Sequence, residues 1–439
     1  MEESKSLEDE VRIKHSLNKK EEEFVVKRRE AVFQSLQKLK IHCSQDAVPH
    51  IALLGSGGGQ RAMVAFLETL VELDKAGLLD CILYLSGVSG STWCMASLDQ
   101  EPDWSTKLKI VKDKIIKRLS GPRVSLRDAL AKLKKYYYEN DIFSLTDVWA
   151  VMAITEYVKE IDEHTLTDQQ DQHNKDPLLI YTVIDVQSKQ CRDGDPWFEI
   201  SPYEAGYSLT GAFVKTSSFG SQFDNGYKIK NQPEMDMLYL QALCGSSFAD
   251  GEENKKFIWK QIRDFFNHSL RADTGMFEEI KKDSNCPPVD KCSQVLMDLA
   301  DMNLSVLNGI DPRALDESFR KTLNVRETTD TCKKQNIPFP EVNIPNVEVQ
   351  KQKDFYVFKG QNAPTVILIS LFNVVSCGEE VETWRNKYCT RQSSYSAEMI
   401  TDLMEVAGKN ISNNREKLKE EIHAVVEQKR SKQMKLLTV

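Results

Sequence analysis

Apolar positions along the chain change period several times, and each change marks an element. In residues 1–44, rich in Lys, Arg and Glu, Val25, Val32, Leu36 and Leu39 recur at spacings of seven, four and three. That spacing predicts an amphipathic helix with a narrow apolar stripe. Such a stripe suits a helix packed on the outside of a larger domain better than one that recruits a partner. Residues 50–54 are a short apolar run that leads into Gly55-Ser56-Gly57-Gly58-Gly59. Met63, Phe66, Leu67, Leu70 and Leu73 then share one helical face, and Gly77 offers a C-cap. A second run of strand length, residues 81–85, precedes the sharp turn Gly87-Val88-Ser89-Gly90-Ser91, and residues 93–98 begin another helix. Strand, helix and strand with a short return make a parallel βαβ unit. That predicts an α/β sheet covered on both faces.

Beyond this unit, residues 105–165 read as helical and 178–186 as a strand. Residues 196–223 mix aromatic, glycine and small polar residues, which predicts irregular structure near a site. Helical spacing returns over 231–266. Residues 268–325 are polar, with a helix expected at 293–302. Residues 355–358 and 366–372 read as strands. From Ala397 the pattern is helical and highly charged, with a solvated tail expected after Lys429. No internal repeat or Pro- or Ser-rich linker divides the chain, which favours one compact domain.

Composition narrows the class. The 439 residues are 41% apolar and 28% charged, ordinary globular values, with a formal net charge of −8. A net negative charge argues against nucleic acid as a partner and against a strongly basic membrane-bound protein, while leaving room for a local basic patch. Ten cysteines lie without close pairs of the C-x-x-C kind, so no zinc or redox motif is expected. The polar start at residues 1–10 predicts no signal peptide. Residues 363–375, the most apolar run, are interrupted by Thr365, Ser370 and Asn373 and read as a buried strand rather than a membrane span. Glu2 excludes myristoylation, and the final four residues hold no prenylation cysteine. A reduced, cytoplasmic compartment is expected.

Both glycine-rich turns follow strands, at the sheet edge where open α/β folds bind ligands. The first is no phosphate-binding Walker loop, because Gln60-Arg61 stands where Lys is needed, and Gln60 breaks a dinucleotide fingerprint. What remains is a row of backbone N–H groups at a helix N-terminus, able to stabilise a developing oxyanion, with Arg61 able to fork onto a phosphate. The second turn fits the Gly-x-Ser-x-Gly/Ser nucleophile elbow, where small neighbours relieve a strained bend and expose the hydroxyl. Alone it is also a common Gly/Ser turn. Its place one βα unit after the glycine loop favours the elbow.

These residues carry a resemblance. Gly55 to Ala62 and Tyr84 to Trp93 are similar to the paired signature of the cytosolic (group IV) phospholipase A2 family. The likeness extends through Ser144-Leu145-Thr146-Asp147, Trp197-Phe198-Glu199-Ile200-Ser201-Pro202 with Gly206, Gly211-Ala212-Phe213, and Phe219-Gly220-Ser221. It continues in Ile337-Pro338-Phe339-Pro340 and in Ala363-Pro364-Thr365 with Leu371-Phe372-Asn373. It lies nearest the gamma-type branch, which has no calcium-binding front domain. It implies a patatin-like, lipase-like α/β fold with a mixed or parallel sheet flanked by helices. The implied division is a charged helical segment at 1–44, a catalytic-type domain at 45–415, and a charged helix or tail at 416–439.

The implied chemistry is cleavage of glycerophospholipid acyl esters by a serine–aspartate dyad without histidine. Ser89 would be the nucleophile, Gly58 and Gly59 the oxyanion hole, and Arg61 the phosphate ligand. No cofactor or metal is implied, and the partner is a phospholipid membrane surface. His15, His42, His50, His164, His173, His268 and His423 fall in no catalytic context and read as surface residues. The family's Asp-x-Gly turn, followed by Asn and Pro, is not found. Asp224-Asn225-Gly226 matches a different part of the family. The domain is shortened between about 266 and 325. There Asp298, Asp301, Asp311 and Asp316 read as solvated or capping residues, so the base is unassigned. A non-catalytic relative that binds lipid is the main alternative. A nucleotide-binding protein is a third class with little support.

Overall fold

The structure, a computed structural model, describes residues 11–139, 143–168, 175–184, 197–245, 338, 340, 353–360, 363–389 and 395–437. The helix expected at 293–302, Phe339, His173, His268 and the four aspartates between 298 and 316 lie outside the described residues. Seven strands make the central sheet: β1 (Val11–Ile13), β2 (Ala52–Gly55), β3 (Tyr84–Val88), β4 (Leu178–Ile184), β5 (Trp197–Ile200), β6 (Glu204–Tyr207) and β7 (Ala212–Lys215). Their order is β1-β7-β6-β5-β4-β3-β2. β2, β3 and β4 are parallel, and every other pairing is antiparallel. The sheet is therefore mixed, as the patatin-like expectation requires.

Three sequence expectations are corrected here. Residues 196–223 are not irregular: they hold β5, β6, β7 and the first strand of a hairpin, β8 (Gln222–Asp224) with β9 (Tyr227–Lys230). Strands of three or four residues are too short to show a period of two, and their hydrogen bonds come from neighbours across the sheet. The hairpin turn is Asp224-Asn225-Gly226, with Asn225 and Gly226 at φ of 49° and 86°. Secondly, the N-terminal segment is more than a helix. β1 adds an edge strand to β7, and the Arg12 Nε donates to the Glu204 carboxylate at 2.9 Å, 192 residues away. Thirdly, the sheet is not covered everywhere, since β2 is an edge among the described residues and Leu54 on it is 73% exposed.

The helix expected near the N-terminus is α1 (Lys19–Lys38), capped by the Asn18 side chain, which accepts from the Lys20 N–H at 2.9 Å. Val25, Val32 and Leu36 are buried, as is Arg28, whose Nε and Nη2 donate to the Ile82 carbonyl just before β3. Then follow α2 (Gly59–Lys75), α3 (Gly90–Asp99), α4 (Leu108–Leu119), α5 (Leu126–Glu139), α6 (Leu145–Trp149), a π-helical turn (Ala150–Ile154), α7 (Thr155–Val158) and α8 (Met237–Gly245). After these come the hairpin β10 (Phe355–Phe358) and β11 (Val366–Ile369), then α9 (Val374–Cys377), α10 (Val381–Lys387), α11 (Ala397–Ser412) and α12 (Arg415–Leu437).

The last helix does not end at Lys429. It continues to Leu437, and its Val426 packs into a cluster with Val32, Leu36, Ile41, Val48 and Cys81. The Lys429 ammonium donates to the Val48 carbonyl at 3.1 Å, so the last helix is tied to the segment that leads into β2. In the main core, Trp93 of α3 is fully buried and stacked on Tyr157, with ring centroids 5.2 Å apart. Burying one such side chain contributes about 1.5–3 kcal/mol. The α2 and α3 helices that leave the two glycine turns are thus anchored in the core, and the turns have little freedom to drift. Among the described residues no helix is long and apolar enough to cross a membrane.

Candidate active site

Strand register sets the site. β2 and β3 run parallel with Gly55 opposite Gly87, so the two glycine turns leave the sheet at the same level. Ser89 is the N-cap of α3 with φ 55° and ψ −127°, a conformation that costs a non-glycine residue about 1–3 kcal/mol. The surroundings hold it there. The Thr92 N–H donates to the Ser89 carbonyl at 2.9 Å, and the Thr92 hydroxyl donates to the same oxygen. The Ser91 hydroxyl donates to the Ser56 carbonyl at 2.6 Å and laces one turn to the other.

Contacts between the turns explain their glycines. A Cβ on Gly55 would lie 2.6 Å from the Ser91 Cβ, and one on Gly87 2.7 Å from the Met95 sulfur. At Gly90 the backbone of the first turn leaves no room at all: a Cβ there would stand 1.8 Å from the Gly59 carbonyl oxygen. Gly58 and Gly59 have φ of 144° and 60° and form the cap and first residue of α2. No side chain caps that helix, and no acidic residue sits in its first turn. Its leading N–H groups and positive dipole end are thus available to an anion. Gly57 of the first turn faces Ser89: a Cβ on it would be 3.3 Å from the Ser89 Cβ and 3.9 Å from its Oγ. The motif alone did not single out Gly57, because proximity of the two turns is a property of the sheet register.

Gln60 is 2% exposed and holds the loop from behind. Its Nε2 donates to the Tyr157 carbonyl at 3.2 Å, and its Oε1 accepts from the Tyr395 N–H at 2.8 Å. The residue that breaks the nucleotide-binding patterns is therefore a structural strut. Arg61 points along the loop. Its Nη2 is 3.2 Å from where a Gly58 Cβ would be, and its Nη1 donates to the Tyr388 carbonyl at 3.2 Å, 327 residues away. The Phe372 ring lies 5.8 Å from the guanidinium. Ser89, Gly57, Gly58, Gly59 and Arg61 are thus brought to one sheet edge.

The base is another matter. Among the described residues no carboxylate or imidazole hydrogen-bonds the Ser89 hydroxyl, which is itself largely buried. His15, His42, His50 and His423 are exposed, as expected. His164 corrects the surface reading. It is half-buried, its Nδ1 paired with Asp162 and its Nε2 3.4 Å from Asp99, and both aspartates are buried. Burial lowers this imidazole's pKa, but hydrogen bonds and charge from Asp162 and Asp99 outweigh that and push it up to about 10. Asp99 is the last residue of α3 and Ser89 its N-cap, so the cluster lies roughly 15 Å along the helix from Ser89.

The chain is also similar to known proteins over the stretch that holds both turns. A lysophospholipase catalytic domain family model matches residues 51–250, a span that contains both turns. Cytosolic phospholipase A2 gamma of Mus musculus is 26% identical and covers 93% of this chain and 91% of its own length. The Homo sapiens gamma protein is 27% identical, with coverage of 94% and 96%. The mouse alignment runs over 552 positions against 439 residues here, so that relative holds stretches without a counterpart in this chain. Among solved structures, human GIVD cytosolic phospholipase A2 in complex with methyl gamma-linolenyl fluorophosphonate shares the fold, with a TM-score of 0.72 at 20% identity. That match covers 96% of this chain and 66% of the solved one, so the chain spans about two thirds of that protein's length.

Proposed function

We propose that the chain, which is similar over most of its length to cytosolic phospholipase A2 gamma, is a phospholipase A2-type serine hydrolase of the cytosolic (group IV) family, acting at a phospholipid surface through Ser89. The observation that carries this reading is the laced pair of turns: a strained Ser89 against Gly57, beside the uncapped N-terminus of α2.

In this reading the Ser89 Oγ attacks the acyl carbonyl carbon and passes its proton to a general base, unassigned among the described residues, which hands it on to the leaving alkoxide. The carbonyl oxygen becomes an oxyanion facing the N–H groups of Gly58 and Gly59. Collapse breaks the ester C–O bond. The lysophospholipid alkoxide leaves with a proton, and water then cleaves the seryl ester to free the fatty acid. Arg61 steadies the phosphate of the headgroup. The reaction takes place in the cytoplasm on a membrane reached from the aqueous side.

A second reading has its own support: no base meets Ser89 among the described residues, and the family's Asp-x-Gly turn is not found in the sequence. A chain without that base would bind phospholipid and acylate slowly, if at all. A fluorophosphonate probe tests the first reading, because it needs the elbow and oxyanion hole. The expected result is labelling that Ser89→Ala abolishes; labelling that survives Ser89→Ala overturns the assignment.

A further inference from the structure

Basic groups from three parts of the chain meet at the far end of β2 from the glycine turns. Arg29 on α1 is half-buried, and its Nη2 lies 3.2 Å from the His50 Nε2. A guanidinium can only donate, so this imidazole nitrogen accepts and the ring is neutral. Lys429 on α12 is also half-buried, and its ammonium donates to the Val48 carbonyl at 3.1 Å, two residues before His50. His50 precedes Gly55 by five residues. At about 3.3 Å per residue the cluster therefore lies roughly 17 Å along the strand from the turns.

Nothing acidic answers these groups. Among the described residues no carboxylate pairs with Arg29, His50 or Lys429. Glu30, the next acid on α1, has its oxygens taken by the Gln34 and Gln45 amides at 3.0 Å and 2.8 Å. The Arg29 Nε is buried and meets no acceptor among the described residues, although a buried donor normally has one. Burial lowers the His50 pKa, and the Lys429 and Arg29 charges lower it further. Burial and Arg29 lower that of Lys429 as well. The other titratable neighbour is Cys43, whose thiol burial pushes up and so keeps uncharged. Packing does not need this crowding of charge, since Val426 already buries α12 against the same face. An anion would turn the repulsion into charge-assisted hydrogen bonds.

We propose that Arg29, His50 and Lys429 form an anion site, separate from the Ser89 edge, that takes the dianion of a phosphate monoester. Arg29 offers a fork and Lys429 a point charge. His50 takes up a proton as the anion arrives, and its Nε2 turns from acceptor to donor. The bound anion ties α1 to α12 and stabilises the fold by mass action.

Urea unfolding and calorimetric titration of the full chain test it, with inorganic phosphate, sulfate and chloride at equal ionic strength. Phosphate and sulfate are expected to raise the urea midpoint above its value in chloride. Arg29→Gln and Lys429→Gln should each weaken sulfate binding about tenfold, the size of one charge-assisted contact. Arg29→Lys should recover part of the loss. Arg430→Gln, next along α12 and already paired with Glu427, should change little. Sulfate stays a dianion between about pH 8 and pH 6, so tighter binding at the lower pH reports protonation of His50, and His50→Gln should remove that rise. Four outcomes overturn the proposal: chloride acting as well as sulfate, wild-type sulfate affinity in Arg29→Gln or Lys429→Gln, an equal loss in Arg430→Gln, which would make the effect diffuse charge, or a pH-dependent rise that survives His50→Gln. Flotation with phosphatidylcholine vesicles, with and without phosphatidate, identifies the source of the monoester. A sulfate response together with phosphatidate-dependent flotation that Arg29→Gln weakens points to a lipid headgroup. The sulfate response alone points to a soluble phosphate ester.

Discussion

The Gly59 carbonyl oxygen lies 1.8 Å from the point where a Cβ on Gly90 would stand. Backbone of the first glycine turn and backbone of the turn at Ser89 are thus in direct contact, with no side chain between them. Gly90→Ala must push the turns apart, because the clash is with backbone and no side chain can swing away. Overpacking of this kind costs about 1–3 kcal/mol or more. The expected outcome is loss of fluorophosphonate labelling together with a lower urea midpoint. Gly226→Ala is the control: its φ is 86°, but a Cβ there meets nothing within 4 Å. It should cost about 1 kcal/mol and leave labelling unchanged. Equal labelling in Gly90→Ala and wild type would show that the turns are not packed this way.

Ser89 is held at φ 55°, where glycine would sit without strain. Ser89→Gly should therefore stabilise the fold by about 1 kcal/mol while abolishing labelling. A urea titration reads the first and the probe the second. Destabilisation by Ser89→Gly would mean that the positive φ carries no strain.

Turnover should be very low even with a formed elbow. A serine hydroxyl is a poor nucleophile unless a base takes its proton, and no described group is hydrogen-bonded to do so. An oxyanion hole and binding alone give about 10³–10⁴-fold over water. Release of labelled fatty acid from phospholipid vesicles, against Ser89→Ala, measures it. A rate near about 10 s⁻¹, typical of enzymes, would reveal a carboxylate outside the described residues that serves as base.

His164 gives a pH signature. Its pKa is raised from 6.5 to about 10 by Asp162 and Asp99 acting against burial. A group raised on folding stabilises while protonated in both states, so the contribution is whole below pH 6.5 and lost as pH rises towards 10. Urea unfolding from pH 6 to 10 should show a decline on the order of a few kcal/mol, and His164→Gln should start lower and lose that slope. An equal slope in His164→Gln would assign the decline to other groups.

Much of the site is legible in local sequence for a steric reason. Glycine at 58 and 59 allows backbone conformations that other residues resist, and glycine at 87 and 90 around a serine is a short local pattern. The stripe of Val25, Val32 and Leu36 is local in the same sense, because a helix repeats every 3.6 residues wherever it packs. The run from β5 to β7 was not legible: its strands are too short for a period. Gly57 and His164 were missed because their partners, Ser89 and the pair Asp99 and Asp162, are chosen by strand register and by helices meeting in space.

The sequence by itself determined the two turns, the helix that follows each, and the family they resemble. Only the tertiary structure decided that Gly55 and Gly87 sit level, that Gly57 faces Ser89, and that Arg61 ends beside Tyr388. Backbone sterics are written in neighbouring residues. A contact across 327 positions depends instead on how every intervening element packs.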